Sequence, residues 1–132
     1  MGVKVAINGF GRVGRSLIRA CLGCEDIDIV AVNSRAKPQI LVHLLKYDSV
    51  HGKLKADVSV DGDAMLIDGK KVAITTVTSN LADLPWAKLG GQIVLESTGR
   101  FRKKDEMTGH LTAGAKEVIL AAPGKGVDGT FV

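Results

Sequence analysis

The chain has 132 residues and a net charge of +4, with 45% hydrophobic and 24% charged residues, enough to build one buried core. No run approaches the ~20 continuous apolar residues of a membrane span. Dispersed Lys and Arg with only 4% aromatic residues argue against a nucleic-acid partner. The N-terminus lacks a long apolar region followed by a cleavage site, so no signal peptide is expected and a cytoplasmic location is the default.

Residues 3–8, Val3-Lys4-Val5-Ala6-Ile7-Asn8, read as a buried strand that runs directly into Gly9-Phe10-Gly11-Arg12-Val13-Gly14. Residues 12 to about 22 then have helical spacing, with Val13, Leu17, Ile18 and Cys21 on one face. Strand, G-x-G-x-x-G and helix in that order is the layout of a dinucleotide-binding fold. Gly9 allows the tight turn out of the strand. Gly11, without a side chain, lets the backbone approach a pyrophosphate, and Gly14 lets the helix pack on the strand. The helix start offers free N–H groups and a positive dipole end to the phosphates.

Residues 27–33 are a second apolar strand, completing a β-α-β unit of about thirty residues. Residues 38–46 read as a helix with Pro38 in its first turn, and 47–55 as a loop. Residues 57–60 and 64–67 alternate around Asp61-Gly62-Asp63, a hairpin signal. Asp68-Gly69 marks another turn and 72–77 another strand, so this stretch reads as a small β-rich insertion. A short helix is expected over 84–89 and a buried strand over 92–96, ending in Ser97-Thr98-Gly99. A helix follows over 103–113 and a strand over 117–121. Residues 122–129 form a Pro/Gly-rich loop, and 130–132 begin a strand.

The pattern predicts an α/β fold, a Rossmann-type parallel sheet with helices on both faces. Ligands of such sheets sit at the carboxyl ends of the strands, here the loops 9–14, 33–37, 97–102 and 121–129. Cys21 and Cys24 form a C-x-x-C. A redox role asks for this pair at a helix N-terminus, where the dipole lowers thiol pKa, and here it falls near a C-terminal end. Zinc asks for two further ligands, and there is no second pair. Reduced cysteines in or beside a helix are therefore expected.

Several stretches, in order and spacing, resemble the phosphorylating glyceraldehyde-3-phosphate dehydrogenases. They are Ala6 through Arg15, His43-Leu44-Leu45-Lys46-Tyr47-Asp48-Ser49-Val50-His51-Gly52, Leu84-Pro85-Trp86, Glu96-Ser97-Thr98-Gly99-Arg100-Phe101, His110-Leu111, Ala113-Gly114-Ala115-Lys116 and Ala122-Pro123-Gly124-Lys125-Gly126. The resemblance implies that the 9–13 loop holds the pyrophosphate, partly through the Arg12 and Val13 N–H groups. It places Asn33 and Ser34 near the adenosine ribose, Ser97, Thr98, Gly99 and Phe101 along the cofactor, and residues 121–123, including Ala121, near the nicotinamide ribose. With Asn8, Gly9, Phe10, Gly11 and Arg35, these are the cofactor-binding candidates; no catalytic or metal-ligating residue is expected. The bland readings are turn caps for Asn8 and Asn33 and core packing for Phe101.

The family's active-site cysteine, in a Ser-Cys-Thr-Thr-Asn segment, and its partner histidine have no counterpart here. Cys21, Cys24, His43, His51 and His110 do not match them. Residues 1–132 are therefore expected to be the NAD(P)-binding domain of a longer enzyme. That parent would oxidise glyceraldehyde 3-phosphate, a small phosphorylated aldehyde, with phosphate to 1,3-bisphosphoglycerate, and would be a homotetramer. Erythrose-4-phosphate dehydrogenases share much of the pattern, and a stand-alone nucleotide-binding module is the reading from another class. The dinucleotide fingerprint expects an acidic residue about twenty positions after its last glycine. Ser34-Arg35 stands there instead, followed by Lys37, so NADP or dual use of NADP and NAD is expected.

Overall fold

The computed structural model describes residues 2–48, 52–54, 56–76, 80–100 and 104–121. The first half comprises β1 (Val3–Asn8), α1 (Arg12–Cys21), β2 (Ile27–Asn33), α2 (Pro38–Lys46), β3 (Tyr47–Asp48) and β4 (Gly52–Lys53). Then come β5 (Val58–Asp61), β6 (Ala64–Ile67), β7 (Lys70–Thr75), a 3-10 turn (Leu81–Asp83), α3 (Trp86–Leu89), β8 (Ile93–Glu96), α4 (Lys104–Thr112) and β9 (Glu117–Leu120).

The main sheet has the order β5-β6-β7-β2-β1-β8-β9. β7, β2, β1, β8 and β9 run parallel, and β6 is antiparallel to both its neighbours. The small β-rich stretch is thus joined to the parallel sheet through β7, and its hairpin extends one edge. β1 is central, and Val5, Ala6, Ile7 and Asn8 are all buried. A strand stretch covered on both faces has no polar side to show, which is why Val5-Ala6-Ile7 is apolar without alternation, while Lys4 falls in the exposed first part of the strand. The chain leaves β1 toward β2 and later returns on its other flank as β8. That reversal opens a crevice beyond the carboxyl end of β1.

One face of the sheet carries Val5, Ile7, Ile29, Val32 and Leu95, packed against Ile18 of α1 and Leu41, Val42 and Leu45 of α2. The opposite face is built from small residues. Ala6 and Ala31 leave room for Trp86, which is fully buried with Leu81, Leu84, Val94, Ala113 and Ala115. Truncating such a buried tryptophan costs about 3–5 kcal/mol. Helices thus lie on both faces, as the alternating pattern required.

Three expectations are corrected. Val13 is not on the inner face of α1: it is 48% exposed, and the buried positions are Gly14 and Ile18. The helix meets the strand through Gly14, whose hydrogen points at the Gly9 carbonyl, so its neighbour is turned outward. Residues 47–55 contain the β3–β4 pair, Tyr47 opposite Lys53, too short to leave a periodic signal. The helix expected over 84–89 begins later. Leu84, before Pro85, is extended with φ −68 and ψ 138, as the proline ring demands of its predecessor, and only Trp86–Leu89 is α-helical. The expectations for 122–132 lie outside the described residues.

Candidate functional site

The three fingerprint glycines are separable by what a side chain would meet. At Gly9, φ is +99 and an added Cβ would lie 2.9 Å from the Thr98 nitrogen, so the fold itself demands glycine. At Gly14 an added Cβ would lie 2.6 Å from the Gly9 oxygen and 3.1 Å from Ile7 Cγ2, which fixes helix-on-strand packing. At Gly11, φ −86 and ψ −158 are open to any residue, and an added Cβ meets nothing within 4 Å. Nothing in the described protein needs glycine there. Gly11 is also the N-cap of α1, whose first turn has no acidic residue and no side-chain cap. The leading N–H groups of a helix have no partner within the helix, and such an end favours negative charge.

Beyond the carboxyl ends of β1, β2 and β8 lies a cleft of about 280 Å³. Asn8, Gly9 and Phe10 form one side, Asn33, Ser34 and Arg35 another, and Thr98 a third. These seven were expected from sequence. Gly11, Arg12 and Val13 are exposed on the adjoining loop. Gly99 is exposed at φ +76. Ala121 is half-buried, its N–H donating to the Glu96 carbonyl at 3.0 Å. Ser97 does not reach the cleft lining; its hydroxyl lies 3.0 Å from the Asn8 oxygen and 2.9 Å from the Gly9 oxygen, tying the end of β8 under the glycine turn. Phe101 lies outside the described residues.

Three lining residues were missed: Asn80, Leu81 and Arg100. Asn80 caps the 3-10 turn through Ala82 N–H, a local role with no motif. Arg100 stood inside a recognisable stretch, and its charge beside a phosphate-binding loop was the available signal. The described lining carries two cations, Arg35 and Arg100, and no carboxylate, so the cleft suits an anion. Ser34 donates its N–H to the Thr75 oxygen, 2.9 Å, and its hydroxyl accepts from Ala36 N–H, 3.3 Å.

Under the cleft runs a buried chain of hydrogen bonds. Thr75 Oγ1 donates to Asn33 Oδ1, 2.7 Å. Asn33 Nδ2 donates to Asn8 Oδ1, 2.8 Å, and Asn8 Nδ2 to Glu96 Oε1, 2.7 Å. From the other side Trp86 Nε1 donates to His110 Nδ1, 2.9 Å, and His110 Nε2 lies 2.8 Å from Glu96 Oε1. An indole can only donate, so His110 Nδ1 accepts and Nε2 carries the proton toward Glu96. Thr98 gives Glu96 Oε2 two more bonds, from its N–H at 3.0 Å and its hydroxyl at 2.6 Å. Glu96 and His110 are 0% exposed. Burial pushes the Glu96 pKa up, but the bonds from His110, Thr98 and Asn8 outweigh it and hold the carboxyl below its ordinary value. The result is a fully paired carboxylate that fixes Asn8 and Thr98, two walls of the cleft.

Other reactive groups stay apart. Cys21 and Cys24 are free thiols at the opposite end of the sheet, and His43 packs against Tyr47, ring centres 5.0 Å apart. Among the described residues no three His, Cys, Asp or Glu side chains gather to hold a metal.

A central strand, a glycine turn closed by the fold at two positions and left open at the third, an uncapped helix start and a cationic cleft define a dinucleotide-binding domain of the doubly wound α/β class. The family model described as glyceraldehyde 3-phosphate dehydrogenase, NAD binding domain, matches residues 3–104, and the chain belongs to this family. It is 51% identical over its full length to glyceraldehyde-3-phosphate dehydrogenase of Geobacillus stearothermophilus. It is 49% identical, again over its full length, to glyceraldehyde-3-phosphate dehydrogenase 1 of Bacillus subtilis. The chain spans 39% of the length of each of these relatives.

Proposed function

We propose that the chain is the cofactor domain of a phosphorylating glyceraldehyde-3-phosphate dehydrogenase and binds its nicotinamide dinucleotide in the cleft above Glu96. The observation that carries this is Gly11, a glycine that neither backbone angles nor packing require. In this reading the pyrophosphate lies over Gly9–Val13 against the Arg12 and Val13 N–H groups. Asn8, Phe10, Asn33, Ser34 and Arg35 surround the adenosine ribose side; Ser97 holds the turn; Thr98, Gly99, Phe101 and Ala121 follow the cofactor toward its nicotinamide end. The bound dinucleotide supplies a hydride acceptor; the chain's own residues bind and orient it.

The nucleophile must come from elsewhere, because Cys21 and Cys24 stand at the wrong end of the sheet. The parent's activity on glyceraldehyde 3-phosphate, its tetrameric assembly and its cytoplasmic location rest on the family resemblance. The finer proposal concerns cofactor choice. The cleft offers Arg35 and Ser34 where a carboxylate would repel a 2′-phosphate, which supports NADP use alongside NAD.

The test is calorimetric titration of the chain and its Gly11→Val variant with NAD and NADP. The unaltered chain should bind and the variant should not, with unfolding temperatures alike. Equal binding by the two would overturn the site.

A further inference from the structure

Cys21 is the last residue of α1, and Leu22 follows at φ −62, ψ 126. Gly23 has φ +78, and Cys24 N–H donates to the Cys21 oxygen at 3.0 Å. These are the marks of a type II turn with the two cysteines at its first and fourth positions. A β-turn holds those Cα atoms within about 7 Å, and disulfides bridge Cα separations of roughly 4.4–6.8 Å. Cys24 is exposed and Cys21 half-buried. Both thiols border a second cleft of about 320 Å³, whose apolar walls include Ile18, Leu22, Ile27 and Val72. Burial, and then the neighbouring Cys24, push the Cys21 thiol up.

We propose that the Cys21–Cys24 turn is an oxidation site that reacts with low-molecular-weight disulfides and closes to an intramolecular disulfide. The exposed Cys24 thiolate attacks one sulfur of oxidised glutathione. That S–S bond breaks, and one glutathione leaves as a thiolate. Cys21 then loses its proton and attacks the Cys24 sulfur; the mixed bond breaks and the second glutathione leaves. Two protein thiols are oxidised, one disulfide is reduced to two glutathiones, and the two protein protons are taken up by them. Thiol–disulfide enzymes stabilise a thiolate at a helix N-terminus, which makes their disulfide easy to reduce. This pair sits at a helix C-terminal end, where the dipole gives a thiolate no help. The bond, once formed, is a durable latch between the end of α1 and the approach to β2.

The reduced chain is incubated with oxidised glutathione, quenched in acid, alkylated and digested with trypsin. Arg19 and Arg35 flank a stretch without Lys or Arg, so one peptide, residues 20–35, carries both cysteines. The expected product is that peptide two hydrogens lighter, with no glutathione and no alkyl group. Cys21→Ser should trap one glutathione on Cys24. Cys24→Ser should react roughly tenfold more slowly than Cys21→Ser, since access and thiolate fraction set the exchange rate. Gly23→Val keeps both thiols and clashes with nothing within 4 Å, but strains the positive φ. It should accumulate the mixed disulfide. An unaltered chain that stops at a glutathione adduct or cross-links to another chain would overturn the proposal. So would a Gly23→Val variant that closes as fast as the unaltered chain.

Discussion

Glu96→Gln changes the chemistry of one atom in the buried chain and leaves its shape alone. The carboxylate accepts from Asn8, from His110 and twice from Thr98; a glutamine offers one oxygen and one NH₂. With the NH₂ toward Asn8 and His110, two donors oppose it, and His110 cannot change tautomer because the Trp86 indole holds Nδ1. With the NH₂ toward Thr98, the hydroxyl can rotate to accept, but the Thr98 N–H stays opposed. The second arrangement is cheaper. One orphaned buried N–H costs about 1–3 kcal/mol, and the surviving bonds fall from the roughly 1.5–3 kcal/mol of charge-assisted pairs toward about 1 kcal/mol. We expect a loss of about 2–4 kcal/mol near neutral pH, read by urea unfolding with the fluorescence of Trp86, the single tryptophan. The carboxyl titrates lower when folded than when unfolded, so the unfolded chain binds more protons between the two values. Its stabilisation is complete above the ordinary carboxylate range and is lost as pH falls through the depressed folded value. The gap between the unaltered chain and the variant should therefore be widest near neutrality and close in acid. A loss within the ~0.5 kcal/mol typical of surface substitutions, or a gap that widens in acid, would refute the reading.

Gly14→Ala should destabilise the fold by about 1–3 kcal/mol, an overpacking cost, because its methyl would lie 2.6 Å from the Gly9 oxygen; Gly11→Ala should leave the denaturation midpoint unchanged. Ser34→Asp should move the chain toward NAD by about tenfold, or about 1.4 kcal/mol, by restoring a carboxylate that repels the 2′-phosphate; paired titrations at low and high salt check this, and an unvaried NAD-to-NADP ratio would count against Arg35 as a phosphate partner. The 132-residue chain should form no NADH or NADPH from glyceraldehyde 3-phosphate and phosphate in an absorbance assay, since neither thiol lies at the cleft.

The central strands were legible because each is buried on both faces, and α2 because Pro38 marks its first turn. The bulge between β1 and β2 was not. Val5 pairs with Ile29 but Ala6 with Ala31, so Val30 is extra and the side-chain alternation of β2 breaks in mid-strand. An unbroken apolar run conceals such a slip. The glycine loop was legible in position because a missing side chain is a strong mark, and the turn and the helix packing expected of Gly9 and Gly14 are where the fold needs them. The Glu96–His110–Trp86 coupling was not read. A carboxylate closing an apolar strand was its only signal, and its partner lies fourteen residues away in a helix. Asn80 and Leu81 enter the cleft from a turn that only the folded sheet brings near.

Glu96 is the acceptor-only member in the middle of the buried chain, and the groups on both sides, Trp86 and His110 on one and Asn8, Asn33 and Thr75 on the other, turn their donors toward it. Such an arrangement constrains inheritance. A histidine freed from the indole, or an asparagine replaced by a group that cannot both give and take, leaves a mismatch that neighbouring positions must answer. Single exchanges among Thr75, Asn33, Asn8, Glu96, His110 and Trp86 are thus penalised as intermediates even where a joint exchange would be neutral. These positions, drawn from four strands and two helices, are expected to vary as a correlated block, and a variant library should recover viable replacements in pairs before it recovers them singly.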